Sequence, residues 1–289
     1  MQPARPHGVI HAASAGALTI AGDLTVNRVG YGAMRITGPG VWGPPKDRAG
    51  ALAVLRRAVE LGVNLIDTAD SYGPSVSEEL IAEALYPYPG DLVIATKAGW
   101  TRSGPNQWLH AGSPRHLREA LEGSLRRLRL ERIDLFQLHV PDHRVAFEES
   151  ISALADLREQ GKIRHLGLSN VTREHIERAR RIVPIASVQN RFNVNDHLES
   201  DRIVDLCERE GMAFLPWSPL GAGSLASQER LMRIARAHDA SPNQVALAWL
   251  LQRSPAIVPI PGTSSVPHLE ENLAAARLRL TGEELHTLA

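Results

Sequence analysis

Four side chains of complementary chemistry stand at the ends of short apolar runs: the carboxylate Asp67, the phenol Tyr72, the amine Lys97 and the imidazole His139. Asp67 follows Val63-Asn64-Leu65-Ile66, and Tyr72 comes five residues later in IDTADSYG (66–73). Lys97 follows LVIAT (92–96), and His139 follows LFQL (135–138). Taken one at a time, Asp67, Lys97 and His139 read as a helix cap, a surface lysine and a satisfied core histidine. Together they could deliver a proton. A tyrosine with a pKa of about 10 is a poor acid near neutrality. A lysine cation beside it would lower that pKa. A buried lysine in turn needs a counter-charge, which Asp67 could supply. His139 could hydrogen-bond a carbonyl oxygen and orient it. The set is suited to protonating the oxyanion that forms when a carbonyl is attacked.

Such a set needs strands that converge. Apolar, β-branched-rich runs recur at 29–34, 63–67, 91–96, 133–139, 163–169, 186–190, 213–218 and 256–260. Strands buried on both faces, as in parallel sheets, read as such continuous runs. Amphipathic helical patterns lie between them, at 49–61, 75–85, 114–129, 147–160, 172–181, 199–210, 242–253 and 266–276, with an additional helix over 228–238. Gly62 and Gly161 mark C-caps, and Ser113-Pro114 marks an N-cap followed by the first helical residue. This alternation predicts an α/β fold, a (β/α)8 TIM barrel over residues 17–289 as one domain. A hairpin around Gly22-Asp23 is expected to plug its bottom, and residues 1–16 to form a loose tail. A doubly wound sheet is disfavoured, because no Gly-x-Gly-x-x-Gly follows the first strand. In a barrel the C-terminal strand ends share one rim. Ser169-Asn170, Gln189-Asn190 and Trp217-Ser218-Pro219-Leu220-Gly221 would join the four titratable groups there.

Bulk properties narrow the function. Lys plus Arg (32) balance Asp plus Glu (32), so the basic excess of a nucleic-acid binder is missing. The single cysteine, Cys207, has no intrachain partner and sits at helical spacing in IVDLC, as a structural thiol would. No apolar run approaches the ~18 residues of a membrane span, and no signal-peptide pattern opens the chain. A cytoplasmic protein without membrane or nucleic-acid partners is expected, and a monomer.

Over essentially its whole length the sequence resembles the aldo-keto reductases. The motifs are IDTADSYG (66–73), IATKAG (94–99), DLFQLHVPD (134–142), GKIRHLGLSN (161–170), VQNRFN (188–193), WSPLG (217–221) and IPGTSSVPHLEENL (260–273). The resemblance implies a (β/α)8 barrel and NADPH-dependent reduction of a small carbonyl compound, with direct hydride transfer from the nicotinamide C4 to the carbonyl carbon. It assigns Tyr72 as general acid, Lys97 and Asp67 as its tuners and His139 as carbonyl orienter. Ser169, Asn170 and Gln189 would hold the carboxamide, Trp217 would stack on the nicotinamide, and Ser218, Leu220 and Gly221 would approach the pyrophosphate. Gly262, Thr263, Ser264, His268, Glu271 and Asn272 match the segment that meets the adenosine half.

One departure bears on the cofactor. Many members carry Lys and Arg where this chain has Gly262 and His268, and those cations pair with the 2′-phosphate of NADPH. Backbone N–H groups at a helix start still favour a phosphate, so NADPH is expected, with NADH as the alternative. Trp42, Trp100 and Trp108 fall in loops above the barrel and could wall a pocket for an aromatic aldehyde or pin their own loops. The stretches 27–48, 83–92 and 244–255 resemble the branch that includes pyridoxal reductases. The chain stops soon after helix 266–276, which would leave an open pocket and broad specificity. Two other classes compete: a Schiff-base lyase using Lys97, and a redox-sensing barrel subunit with slow turnover. A metal-dependent hydrolase is disfavoured, since His7 and His11 precede any strand and no His-x-His ends the first one.

Overall fold

The computed structural model describes residues 10–223 and 228–288. The chain opens with an antiparallel hairpin, β1 (Ala17–Ile20) and β2 (Leu24–Asn27), and then enters a parallel sheet. The sheet begins β3 (Tyr31–Gly32), α1 (Arg48–Glu60), β4 (Leu65–Asp67), α2 (Val76–Leu85), β5 (Val93–Ala98). A second hairpin, β6 (Trp100–Gly104) and β7 (Gln107–His110), leaves the rim before α3 (Pro114–Leu128). The alternation continues with β8 (Ile133–Leu138), α4 (Phe147–Glu159), β9 (Ile163–Ser169), α5 (Arg173–Arg180), β10 (Ile185–Gln189), α6 (Leu198–Glu210) and β11 (Ala213–Phe214). Helices α7 (Glu229–Ala237), α8 (Pro242–Arg253), α9 (Val266–Ala274) and α10 (Gly282–Leu288) complete it. Among the described residues no helix is long and apolar enough to cross a membrane.

The expected helices form where their apolar stripes and caps lie. Ser113 Oγ accepts from His116 N to start α3, with Pro114 as its first residue. Gly62 and Gly161 follow α1 and α4 at φ +80° and +76°, the left-handed region that glycine reaches at least cost. Helix α10 was not foreseen in the sequence.

Seven parallel strands are bonded in the order β11-β10-β9-β8-β5-β4-β3. The eighth expected strand, 256–260, lacks a continuous ladder, yet its extended backbone closes the barrel. Phe214 N donates to Ala256 O (2.9 Å) and Val258 N to Phe214 O (2.9 Å) on one side. On the other side Gly30 N donates to Pro259 O (2.9 Å) and Gly32 N to Pro261 O (3.4 Å). Pro259 and Pro261 have no N–H to return, so that side of the ladder is one-directional. First and last segments meet so tightly that a Cβ on Gly32 would lie 2.6 Å from Ile260 O. One on Gly262 would lie 2.6 Å from Gly32 O.

The barrel interior is a separate apolar cluster. Leu65, Val93, Ala95, Leu135, Leu215, Val258 and Ile260 pack there against Ile20, Leu24 and Val26 of the first hairpin, which seals the bottom as expected. The expected loose tail over 1–16 is corrected in part: residues Ala12–Ala15 form a 3-10 turn, and Ala12 is fully buried with its N–H bonded to Leu61 O. Residues 1–9 lie outside the described residues.

Candidate active site

Side chains alternate across a strand, so residues two apart share a face. Leu65 and Ala95 point into the barrel, and two residues on, Asp67 and Lys97 complete the same rows. Gln137 follows Leu135 in the same way on β8. The result is a buried polar layer above an apolar one. Lys97 Nζ donates to Asp67 Oδ1 (2.6 Å) and Thr68 O (2.8 Å), and lies 3.5 Å from the Tyr72 hydroxyl. Asp67 Oδ2 accepts from Gln137 Nε2 (3.0 Å) and Gln189 Nε2 (2.9 Å). The buried ion pair is therefore fully hydrogen-bonded, the condition under which burial of two charges is tolerated.

Burial works against the charge on Lys97, but Asp67 and Tyr72 outweigh it and the amine is held above its ordinary pKa. That counts against the Schiff-base role, which needs a neutral amine; Lys97 is also fully buried and absent from the walls of the cavity described below. The expected lowering of the Tyr72 pKa is corrected. Burial raises it by more than Lys97 lowers it, and the net shift is upward. His139 is buried, and burial together with the Lys97 cation pushes its pKa well below the usual imidazole value. It is neutral at pH 7, lies 5.8 Å from Tyr72 between ring centroids, and has Nδ1 3.5 Å from Ser71 Oγ.

Above this layer opens a cavity of about 1080 Å³. That volume is at the upper end for small-molecule sites and suits a dinucleotide beside a small substrate. Asp67, Tyr72 and His139 lie on its floor. Trp100 and Trp108 wall one side, from the β6–β7 hairpin and not from loops as expected. Trp108 packs edge-on to Tyr72 at 6.4 Å and to Trp100 at 6.0 Å. Arg102, unforeseen from its sequence context, stacks its guanidinium 3.6 Å from the Trp108 ring and donates to the carbonyls of Val41, Ser71 and Gly40. Trp42 does not line the cavity. Its backbone bridges to Gly73 and its ring lies 5.9 Å from Arg102, so it secures its own loop.

His110, also unforeseen, joins this wall, 4.4 Å from Trp100 between ring centroids. It meets Asp142 and His143 with ligand atoms within 4.8 Å of one another. Both Asp142 oxygens are already engaged by Arg144, and Oδ2 also by Gly112 N, so the carboxylate belongs to an ion pair.

Ser169, Asn170, Gln189, Trp217, Ser218 and Leu220 form the second side, and Gly262, Thr263, His268, Glu271 and Asn272 continue it. Gly221 and Ser264 are not among its lining residues. Asn170 sits at φ +57°, which asparagine tolerates, and this aims its amide in two directions. Its Nδ2 donates to His139 O (3.0 Å) and Ser169 Oγ (3.2 Å), and its Oδ1 accepts from Trp217 Nε1 (3.0 Å). Asn170 thus fixes the indole of Trp217. Gln189 Nε2 is committed to Asp67 and Gln137. Two further lining residues were not anticipated: Arg35, and Asn243, whose Oδ1 is buried without a hydrogen-bond partner. Arg35 is the only Lys or Arg lining the cavity among the described residues. Its Cγ lies 3.4 Å from where a Cβ on Gly262 would be, so its stem occupies the space a side chain at 262 would need.

The chain belongs to the aldo/keto reductase family of oxidoreductases, whose profile matches residues 28–289. It is 48% identical to the pyridoxine 4-dehydrogenase of Escherichia coli K12 over 273 residues, which cover 92% of this chain and 95% of that one. It is also 48% identical over 275 residues to an uncharacterized oxidoreductase of Schizosaccharomyces pombe, covering 95% and 89%. Among solved structures, the glycerol dehydrogenase of Gluconobacter oxydans superposes with a TM-score of 0.84 at 28% identity, covering 95% of this chain and 94% of that one.

Proposed function

We propose that this protein reduces aldehydes or ketones to alcohols with NADPH, and that Tyr72 supplies the proton. The carrying observation is the contact of Lys97 Nζ with both Asp67 and the Tyr72 hydroxyl directly beneath the cavity. A bound reduced nicotinamide would contribute the hydride, and the remaining work falls to the protein. Tyr72, with its pKa raised by burial, is held as the protonated acid at pH 7. It can give its proton to the oxygen of a carbonyl as negative charge develops there. Lys97, 3.5 Å away, then stabilises the phenolate left behind. Neutral His139 donates a hydrogen bond to the same oxygen without adding a charge beside Lys97. Asp67, Gln137 and Gln189 keep Lys97 charged and in place.

The cavity supports the cofactor reading through its volume, the Trp217 indole fixed by Asn170, and Arg35, the only Lys or Arg that lines it among the described residues. Arg35 would take over the phosphate-pairing charge missing at Gly262 and His268, which favours NADPH over NADH. For the substrate, the Trp100–Trp108–His110 wall suits a flat aromatic aldehyde. The E. coli relative, at 48% identity, is a pyridoxine 4-dehydrogenase, and pyridoxal is our first candidate.

The test is a panel of carbonyl compounds including pyridoxal, with NADPH and with NADH, on the wild type and on Tyr72→Phe. Removing the acid should lower kcat by about 10²–10⁴-fold while NADPH binding is retained. A Tyr72→Phe variant at full activity refutes the mechanism. Activity on other aldehydes with none on pyridoxal refutes the substrate, and a clear NADH preference refutes the cofactor.

A further inference from the structure

The aromatic wall of the cavity ends in a polar atom that the fold orients and does not use. His110 closes β7, pairs with Trp100 across the hairpin, and holds its ring 4.4 Å from the Trp100 ring between centroids. Its Nδ1 lies 3.1 Å from Pro141 O. A carbonyl oxygen only accepts, so Nδ1 carries the hydrogen, and an uncharged imidazole has only one. Nε2 is thereby a bare acceptor, because the bond made at one ring nitrogen sets the state of the other. It sits on the ring edge turned from Pro141. Among the described residues Nε2 has no hydrogen-bond partner, and it is not enclosed; the His143 ring stands edge-on at 5.2 Å without bonding to it. The backbone here is also held in place. Arg144 Nη2 donates to His110 O, and Ala111 N donates to Gly99 O (2.9 Å), where the two hairpin strands leave the rim.

We propose that His110 makes the site select aromatic aldehydes that carry a hydroxyl group on the ring: Nε2 accepts the hydroxyl hydrogen. This rests on the reading of the protein as an aromatic-aldehyde reductase. Trp100 is the shared neighbour of the two imidazoles, its ring 6.4 Å from His139 and 4.4 Å from His110 between centroids. A substrate ring laid along Trp100, with its carbonyl at His139, turns its substituents toward His110. A hydroxyl there replaces the water that Nε2 gives up. An alkyl group displaces that water and returns nothing, and an ether oxygen sets one acceptor against another. A site that bonds a donor rejects the analogue that lacks it. The fixed backbone and the Pro141 bond hold the acceptor in place before the substrate arrives, which keeps the entropy cost of the contact low.

The experiment measures kcat/KM at pH 8 for meta- and para-(hydroxymethyl)benzaldehyde, with the matching ethyl and methoxymethyl compounds as controls. The ethyl group equals the alcohol in size, and the ether keeps the oxygen and removes only the hydrogen. None of these substituents ionises or conjugates with the carbonyl. The wild type should prefer the alcohol to both controls by about tenfold at one of the two ring positions. His110→Phe keeps a ring against Trp100 and has no acceptor, so the ratio should fall to about one. Damage to the cavity as a whole would slow all the substrates together and leave the ratio as it was. Equal use of alcohol and controls by the wild type overturns the assignment, and so does a preference that survives in His110→Phe. If the wild type reduces none of these aldehydes with NADPH or with NADH, the aromatic-aldehyde reading itself has failed, and the role of His110 fails with it.

Discussion

Replacing Asp67 by asparagine tests the polar layer most directly. At the 2.6 Å Lys97–Asp67 separation, an effective dielectric of about 20 gives an attraction on the order of 6 kcal/mol. Part of this offsets the desolvation of the pair, and removing one partner of a buried ion pair costs about 3–5 kcal/mol in practice. The same change leaves Lys97 buried with Thr68 O and the Tyr72 hydroxyl as its remaining acceptors. With the carboxylate gone, burial acts unopposed on the ammonium, and the Lys97 pKa should fall below its ordinary value. In the wild type the folded pKa of Lys97 lies above its ordinary value. Its contribution to stability is therefore present below the unfolded pKa of about 10.4 and lost only as pH rises through the higher folded value. In Asp67→Asn the order is reversed. Between the depressed folded pKa and about 10.4 the unfolded chain binds more protons, so stability should rise with pH across that window. Urea unfolding from pH 6 to 10 should show the deficit of about 3–5 kcal/mol at the acid end shrinking toward the alkaline end. Adding Lys97→Met should restore stability and abolish the slope, without restoring carbonyl reduction. An Asp67→Asn variant as stable as the wild type, with a flat pH profile, would refute the account of the ion pair.

Other perturbations follow from the cavity. Arg102→Ala removes the stack on Trp108 and the bonds to the 40–41 and 71 carbonyls. The substrate KM should rise about tenfold with cofactor affinity within about twofold, and Arg102→Lys should not rescue it because an ammonium cannot replace the planar fork; steady-state kinetics on both variants check this. Arg35→Ala should weaken NADPH about tenfold more than NADH, the size expected for one charge-assisted phosphate contact, and an equal loss for both would dissociate Arg35 from the 2′-phosphate. Asp70 is pushed up to about 8 by burial and by Glu78, so the native state keeps a proton that the unfolded chain has released, and stability should fall as pH rises from about 4 to 8. Asp70→Asn should remove that decline and be more stable by on the order of 2 kcal/mol at pH 8, water at the partly open side reducing the full electrostatic figure; thermal melts at pH 5 and 8 decide it.

Much of this was legible because strand and helix periodicities are strong in a barrel. The four titratable groups and the bottom hairpin were found from apolar runs that end in polar residues. Gln137 was missed, although alternation from Leu135 marks it as inward; its place inside an apolar run concealed it. Arg102, Arg35 and Asn243 carry no comparable signal, because their partners are carbonyls, a glycine and a cavity far away in sequence. The direction of the Tyr72 shift also escaped: a list of neighbouring charges suggests a fall, whereas burial decides the balance and emerges only when the chain is folded. Ser264 and Trp42 illustrate the converse. Their types and positions in the sequence fit a binding role, but neither lines the cavity.

The closure between the first and last barrel segments has a mechanical meaning. Pro259 and Pro261 accept without donating, so the bonds across this seam all run one way, from Gly30 and Gly32. Gly32, on one side of it, and Pro261 and Gly262, on the other, are also on the lip of the cavity. A molecule seated there touches both ends of a sheet whose closing bonds on one side run in one direction only. Ligand that binds only the closed form adds its binding energy to closure. The cargo then acts as a clasp, and the amides of Gly30 and Gly32 are where its tightening would be felt.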